Sequence, residues 1–131
     1  HLVAYPETVE CMWKWRAFRI PVGIVTKGEP NYQKYKIARL KVPYDFVHCV
    51  EPPARKSGAL RDMIRQYGAP VLFIDDRVTE LDSVRDDGLS EERVITCRIV
   101  RPEDPYGDGP ARYPHHEIFS FEEVLPKFFG K

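Results

Sequence analysis

The chain has 131 residues, with 20 Lys and Arg against 20 Asp and Glu and a formal net charge of zero. That length favours a single domain over 1–131, large enough to bury a core. The balanced charge supplies no basic field for nucleic acid or an anionic membrane, and no apolar run nears the roughly 20 residues of a membrane span.

Cys11, Cys49 and Cys97 are widely spaced, odd in number and set among apolar neighbours. They read as buried free thiols in a reducing cytosol, and no CxxC or Cys/His spacing suggests zinc. No basic leader with an apolar core opens the sequence, so a cytoplasmic location is expected.

Pro6 followed by Glu7 starts a helix, in which Val9, Met12 and Trp13 recur on one apolar face through about Phe18. Ile20–Thr26 is a β-rich apolar run ending in a hydroxyl, broken by Lys27-Gly28-Glu29-Pro30. A helical pattern resumes over Asn31–Leu40, and Asp45–Glu51 reads as a strand closed by Pro52-Pro53. Ser57 is placed to cap the next helix, where Leu60, Met63, Ile64 and Tyr67 form an amphipathic series that Gly68 ends.

Pro70–Asp76 (PVLFIDD) is a continuous apolar block ending in two carboxylates, the pattern of a strand covered on both faces. Val78, Leu81 and Val84 then mark the inner face of a helix ending near Gly88, and Arg93–Val100 is the next strand. Arg101–His116 is a loop too long to be a mere connector. Ser120 with Glu123 forms a capping box for a last helix through Phe129. Strands and helices alternate, which predicts an α/β fold: a Rossmann-like three-layer sandwich with a mainly parallel sheet.

In such a sheet Thr26, Lys56 and Asp75/Asp76 all fall at strand ends that point the same way, where open α/β sheets bind ligands. A hydroxyl, an ammonium and paired carboxylates suit a phosphate with its divalent cation. The helix N-terminus near Gly28 can donate hydrogen bonds to phosphate oxygens, and the acids can hold Mg2+ through oxygen. The plainer alternative is that one acid caps the following helix and the other is solvated.

IPVGIVTKGEP resembles the second motif of the haloacid dehalogenase-like (HAD) hydrolase superfamily, an apolar strand ending in Thr or Ser. The preceding AYPETVECMWKWRAF resembles the Pro-containing turn and helix that lead into it. VLFIDDRVTELDSVRDDG resembles the fourth motif, and Lys56 sits where the third-motif lysine would be. The resemblance implies a Mg2+-dependent phosphatase acting on a small phosphorylated substrate. It implies that Thr26, with Lys27 and Gly28 beside it, binds the transferring phosphoryl group, and that Lys56 neutralises charge on phosphate and nucleophile. Asp76 would be the usual Mg2+ ligand, Asp75 would stand where Gly is common, and Glu80 would orient a metal-bound water.

The family's nucleophile, the first Asp of a DxD pair ending the first strand, has no counterpart in these residues; the first Asp is Asp45. The domain is therefore expected to be incomplete at its N-terminus, leaving the strands of Thr26 and Asp76 with unpaired inner edges. Such edges imply a longer protein, a partner segment or second copy filling the gap, or a sheet that closes around it. The alternative is a non-catalytic HAD-like module that binds a phosphorylated ligand or a protein partner. A receiver-like signalling domain also has an acid pair, but here the pair lies mid-chain with no lone Asp ending a following strand. Arg101, Asp104, Asp108 and Arg112 could form a substrate-selecting loop, or a charged surface. His115-His116 reads as solvated, Trp13 and Trp15 as packing residues, and Phe128-Phe129 as core or interface.

Overall fold

The computed structural model describes residues 6–103 and 108–131. The chain divides into two compact units, His1–Ala54 and Arg55–Lys131.

In the first unit α1 (Pro6–Ala17) precedes β1 (Gly23–Lys27), α2 (Pro30–Leu40) and β2 (Phe46–Val50). β1 and β2 pair in parallel from Gly23↔Phe46 to Lys27↔Val50, with α2 as the crossover. Gly23 is required at the start of that ladder, because the Phe46 ring lies 1.9 Å from where a Cβ would stand. Asp45 extends the register: its N–H donates to the Val22 carbonyl at 2.7 Å and its Oδ2 accepts from Val22 N at 2.7 Å. Cys11, Met12, Val22, Ile37 and Val50 are buried. Trp13 is 58% exposed, so α1 buries the side carrying Cys11 and Met12 rather than the expected Met12–Trp13 face.

In the second unit α3 (Ser57–Tyr67) leads to β3 (Val71–Asp75), α4 (Val78–Asp86), β4 (Val94–Ile99) and β5 (His116–Ile118). The sheet order is β3-β4-β5 and both pairings are parallel. Leu60, Val71, Phe73, Leu81, Val84, Leu89 and Val94 form the core, with Met63 and Ile64 packed against it. Most of the apolar series predicted for α3, β3 and α4 therefore interlock, but Tyr67 is 42% exposed and Leu72 and Ile74 are only half-buried, so β3 buries one face fully. Burial of such side chains is worth roughly 1.5–3 kcal/mol each. Gly68 ends α3 at φ 90, a backbone angle that favours glycine.

Three local expectations change. Ser57 is the first helical residue of α3 rather than its cap, and its hydroxyl donates to Asp87 Oδ2 at 2.6 Å. The long loop ends in a third strand, β5, too short to carry a readable alternation. The Ser120/Glu123 capping box forms as expected, but it opens a 3₁₀ turn (Phe121–Glu123) that runs into a π turn (Leu125–Phe129). Pro126 explains this, since it lacks the N–H an α-helix would need and its ring crowds the preceding turn.

The chain is thus α/β, built of small parallel sheets and helices in a manner consistent with a Rossmann-like fold. Among the described residues β1 pairs only with β2, and β3 pairs on one edge only, with β4.

Candidate functional site

The carboxyl end of β3 brings two of the predicted residues together. Asp75 closes the strand with its side chain 8% exposed, and Lys56, just before α3, lies 13% exposed beside it. Lys56 Nζ donates to Asp75 Oδ2 at 2.9 Å and stands 5.9 Å from the centre of the Phe73 ring. Asp75 Oδ1 accepts from the backbone N–H of Arg77 at 2.9 Å, the two-residue Asx turn that short acids make at strand exits. Burial is the larger influence on Asp75 and pushes its carboxyl up, against the downward pull of the Lys56 ammonium and the Arg77 amide. Asp76 is exposed one residue further on. Glu80 is buried in the first turn of α4.

Among the described residues no three His, Cys, Asp or Glu side chains are grouped to hold a metal ion. Asp75 has both oxygens engaged, so of the three acids expected to bind Mg2+ only Asp76 presents a carboxylate to solvent. One carboxylate suffices where substrate oxygens and waters complete the shell, as Mg2+ commonly accepts.

In the first unit Thr26, Lys27 and Gly28 lie in sequence at the end of β1. The Thr26 hydroxyl is buried and donates to Gln33 Oε1 at 2.9 Å. The Gly28 N–H donates to the Val50 carbonyl at 3.0 Å. Gly28 has φ +144, and a Cβ there would stand 2.4 Å from Gln33 Nε2, so the turn needs glycine. Glu29 caps α2, accepting from Asn31 N at 3.1 Å and Tyr32 N at 2.7 Å. A carboxylate of the chain itself thus occupies the anion position at this helix N-terminus. The sequence signal for it was an acid just before Pro30, read above only as a break.

A second polar cluster was not foreseen. His115 is 4% exposed rather than solvated, with Nε2 at 2.8 Å from Asp82 Oδ1 and Nδ1 at 2.7 Å from Thr96 Oγ1. Arg85 donates to Thr96 Oγ1 at 3.0 Å and to the carbonyls of Leu89 and Val94. One proton arrangement satisfies the chain: Arg85 donates to Thr96, Thr96 to His115, and His115 to Asp82. Asp82 also accepts from the amides of Arg112 at 3.0 Å and Tyr113 at 3.3 Å. Burial pushes the Asp82 carboxyl up, but these donors outweigh it and hold it below its usual range. The order Asp–His–hydroxyl resembles a nucleophilic triad, yet Thr96 is fully buried and already accepts from Arg85. The cluster ties segments together.

Its neighbours serve the same end. Asp108 caps α4 from 30 residues away, accepting from Val78 N at 2.7 Å and from the Thr79 hydroxyl. Arg112 grips Asp86 through both terminal nitrogens at 3.0 and 2.5 Å, and the Tyr113 hydroxyl donates to the same carboxylate at 2.8 Å. Asp108 and Arg112, weighed above as substrate-selecting residues, are thus engaged with α4. Asp104 lies outside the described residues. His116 is 43% exposed and pairs with Glu91 at 3.0 Å.

The three cysteines are free; Cys11 and Cys97 are buried and Cys49 is half-buried. Burial pushes the Cys97 thiol up to about 12, so it is inert as a nucleophile. No described helix is long and apolar enough to cross a membrane. No family model, curated protein or solved structure matches the chain.

Proposed function

We propose that the chain carries the lysine and metal-binding parts of a HAD-like, Mg2+-dependent phosphohydrolase acting on a small phosphorylated substrate. The observation that carries this reading is the 2.9 Å contact between Lys56 and Asp75 at the carboxyl end of a parallel strand. The resemblance assigned those two residues to different motifs, and the fold brings them into contact. Lys56 would stabilise charge on the transferring phosphoryl group, and Asp76 would hold Mg2+, which shields the phosphate oxygens when bound. The nucleophilic acid would come from a strand supplied by another segment; among the described residues β3 pairs on one edge only, with β4. Three free thiols suit the reducing cytosol in which such an enzyme would work.

A second reading has its own support. No DxD pair that could supply the nucleophile occurs in the sequence, which favours a module that binds a phosphorylated ligand without turning it over. Hydrolysis of p-nitrophenyl phosphate by the native protein with and without Mg2+ separates the two. Mg2+-dependent turnover abolished by Asp76→Ala is the expected result. Turnover that ignores Asp76→Ala refutes the metal assignment, and phosphate binding without turnover selects the module.

A further inference from the structure

We infer that Asp75 is a positioning residue that aims the Lys56 ammonium at an anion, rather than a metal ligand; this rests on the phosphate-site reading above. An ammonium has three N–H donors. Among the described residues Asp75 is the only acceptor that Lys56 meets, which leaves two donors for a ligand. Lys56 precedes α3 and makes no side-chain cap bond there, so its stem is free to reach across to the end of β3. The Phe73 ring beneath the ammonium contributes a cation–π contact and limits its excursions on that side.

Asp75 is itself fixed. Its Oδ1 is held by the Arg77 N–H and its Oδ2 by Lys56, at 2.9 Å each, so neither oxygen is left over for a cation. Both partners are donors, which means an Asn at this position must turn its amide nitrogen toward one of them. Asp75→Asn therefore keeps the shape of the side chain while breaking one of the two bonds and weakening the other.

Lysine acylation of the 131-residue chain, read peptide by peptide by mass spectrometry, tests this. Lys56 should be modified more slowly than the other lysines, and Asp75→Asn should raise its rate about tenfold or more, as expected for loss of a charge-assisted hydrogen bond. The other lysines, which serve as internal standards, should not change. An unchanged Lys56 rate in a folded Asp75→Asn variant overturns the inference. Should that variant not fold, the wild-type chain still decides: a scalar coupling across the hydrogen bond between Lys56 Nζ and the Asp75 carboxyl carbon is expected, and its absence overturns the inference. Inorganic phosphate with Mg2+ should slow acylation of Lys56. Failure of phosphate to protect, with the Asp75→Asn effect present, rejects the phosphate site while leaving the positioning role of Asp75 intact.

Discussion

Asp82→Asn is the sharpest test of how the second unit is held together. The carboxylate is 4% exposed and its hydrogen-bond partners are all donors, Arg112 N, Tyr113 N and His115 Nε2, with Arg112 Nε further off at 3.9 Å. Asn has the same shape but only one acceptor oxygen, so at least one buried donor is left unsatisfied, at a cost of about 1–3 kcal/mol. The bonds that survive lose their charge assistance, roughly another 1 kcal/mol. The expected loss is therefore about 3 kcal/mol, a large share of the roughly 5–15 kcal/mol that stabilises a typical domain. At about 4–8 °C per kcal/mol for a unit of this size, the melting temperature should fall by about 12–24 °C. Two units need not unfold together, so amide hydrogen exchange is the better assay. Exchange at Arg112 and Tyr113 should quicken by about a hundredfold, the same energy expressed as a ratio. Asp62→Asn, whose partner Arg65 lies with it at the exposed surface of α3, is the control and should change little. Unchanged exchange at Arg112 and Tyr113 in the Asp82 variant would show that the carboxylate does not hold this segment.

Gly28→Ala should destabilise the first unit by about 1–3 kcal/mol in urea titration, because its φ of +144 and the Gln33 amide 2.4 Å from the new Cβ both oppose it. Asp108→Ala removes the remote cap of α4 and should cost about 0.5–2 kcal/mol, with faster exchange at Val78 and Thr79. Acid should loosen the same region. Burial raises the Asp82 and Asp108 carboxyls, but their hydrogen-bond donors outweigh it, and Arg112 with Tyr113 holds Asp86 at about 2. All three therefore lie below their ordinary value of 3.8, and their contribution is complete above that value. It declines as the pH falls, that of Asp86 disappearing last, near pH 2. Asp75 acts with the opposite sign: its raised carboxyl contributes below 3.8 and loses that contribution as the pH climbs through the raised value. Melting temperatures across pH 2–6 read both effects, and a flat profile below pH 4 contradicts them.

What could be read from the sequence follows the range of each signal. Leu60, Met63 and Ile64 at helical spacing are a local pattern that became part of the core or packed against it as expected. In the block Val71–Ile74, by contrast, only Val71 and Phe73 join the core, and Leu72 and Ile74 stay half-buried. The Ser120–Glu123 box spans one turn and formed as written. Trp13 kept helical spacing with Val9 and Met12, yet period alone does not say which edge of a stripe meets the sheet, and the buried face runs through Cys11 instead. Asp108 and Asp82 were illegible for a different reason. Their partners are about 30 residues away, and a charged loop looks the same whether its acids face water or a helix N-terminus. His115 was misread likewise, because nothing local separates a buried histidine from its exposed neighbour His116. At β3 the acid pair was visible from the start, while the division of roles within it depended on Lys56, 19 positions upstream.

That division follows from how the turn between β3 and α4 is held. Arg77 stands at the cap position of α4 and offers the helix no side-chain acceptor. Asp75 does not fill the gap, because it is turned inward to Lys56 and the Arg77 amide; Asp108 supplies the cap from across the loop. Two adjacent carboxylates would repel if both faced the same medium. Here one is compensated by an ammonium and a backbone N–H, and the other is exposed, although its side chain still pushes the Asp75 carboxyl up. The ion pair fixes a lysine beside a solvent-facing carboxylate, so opposite charges stand at one strand end, as the proposed phosphate and cation would require. The same arrangement makes the choice of acid specific: Asp76 can change its partner at little structural cost, and Asp75 cannot.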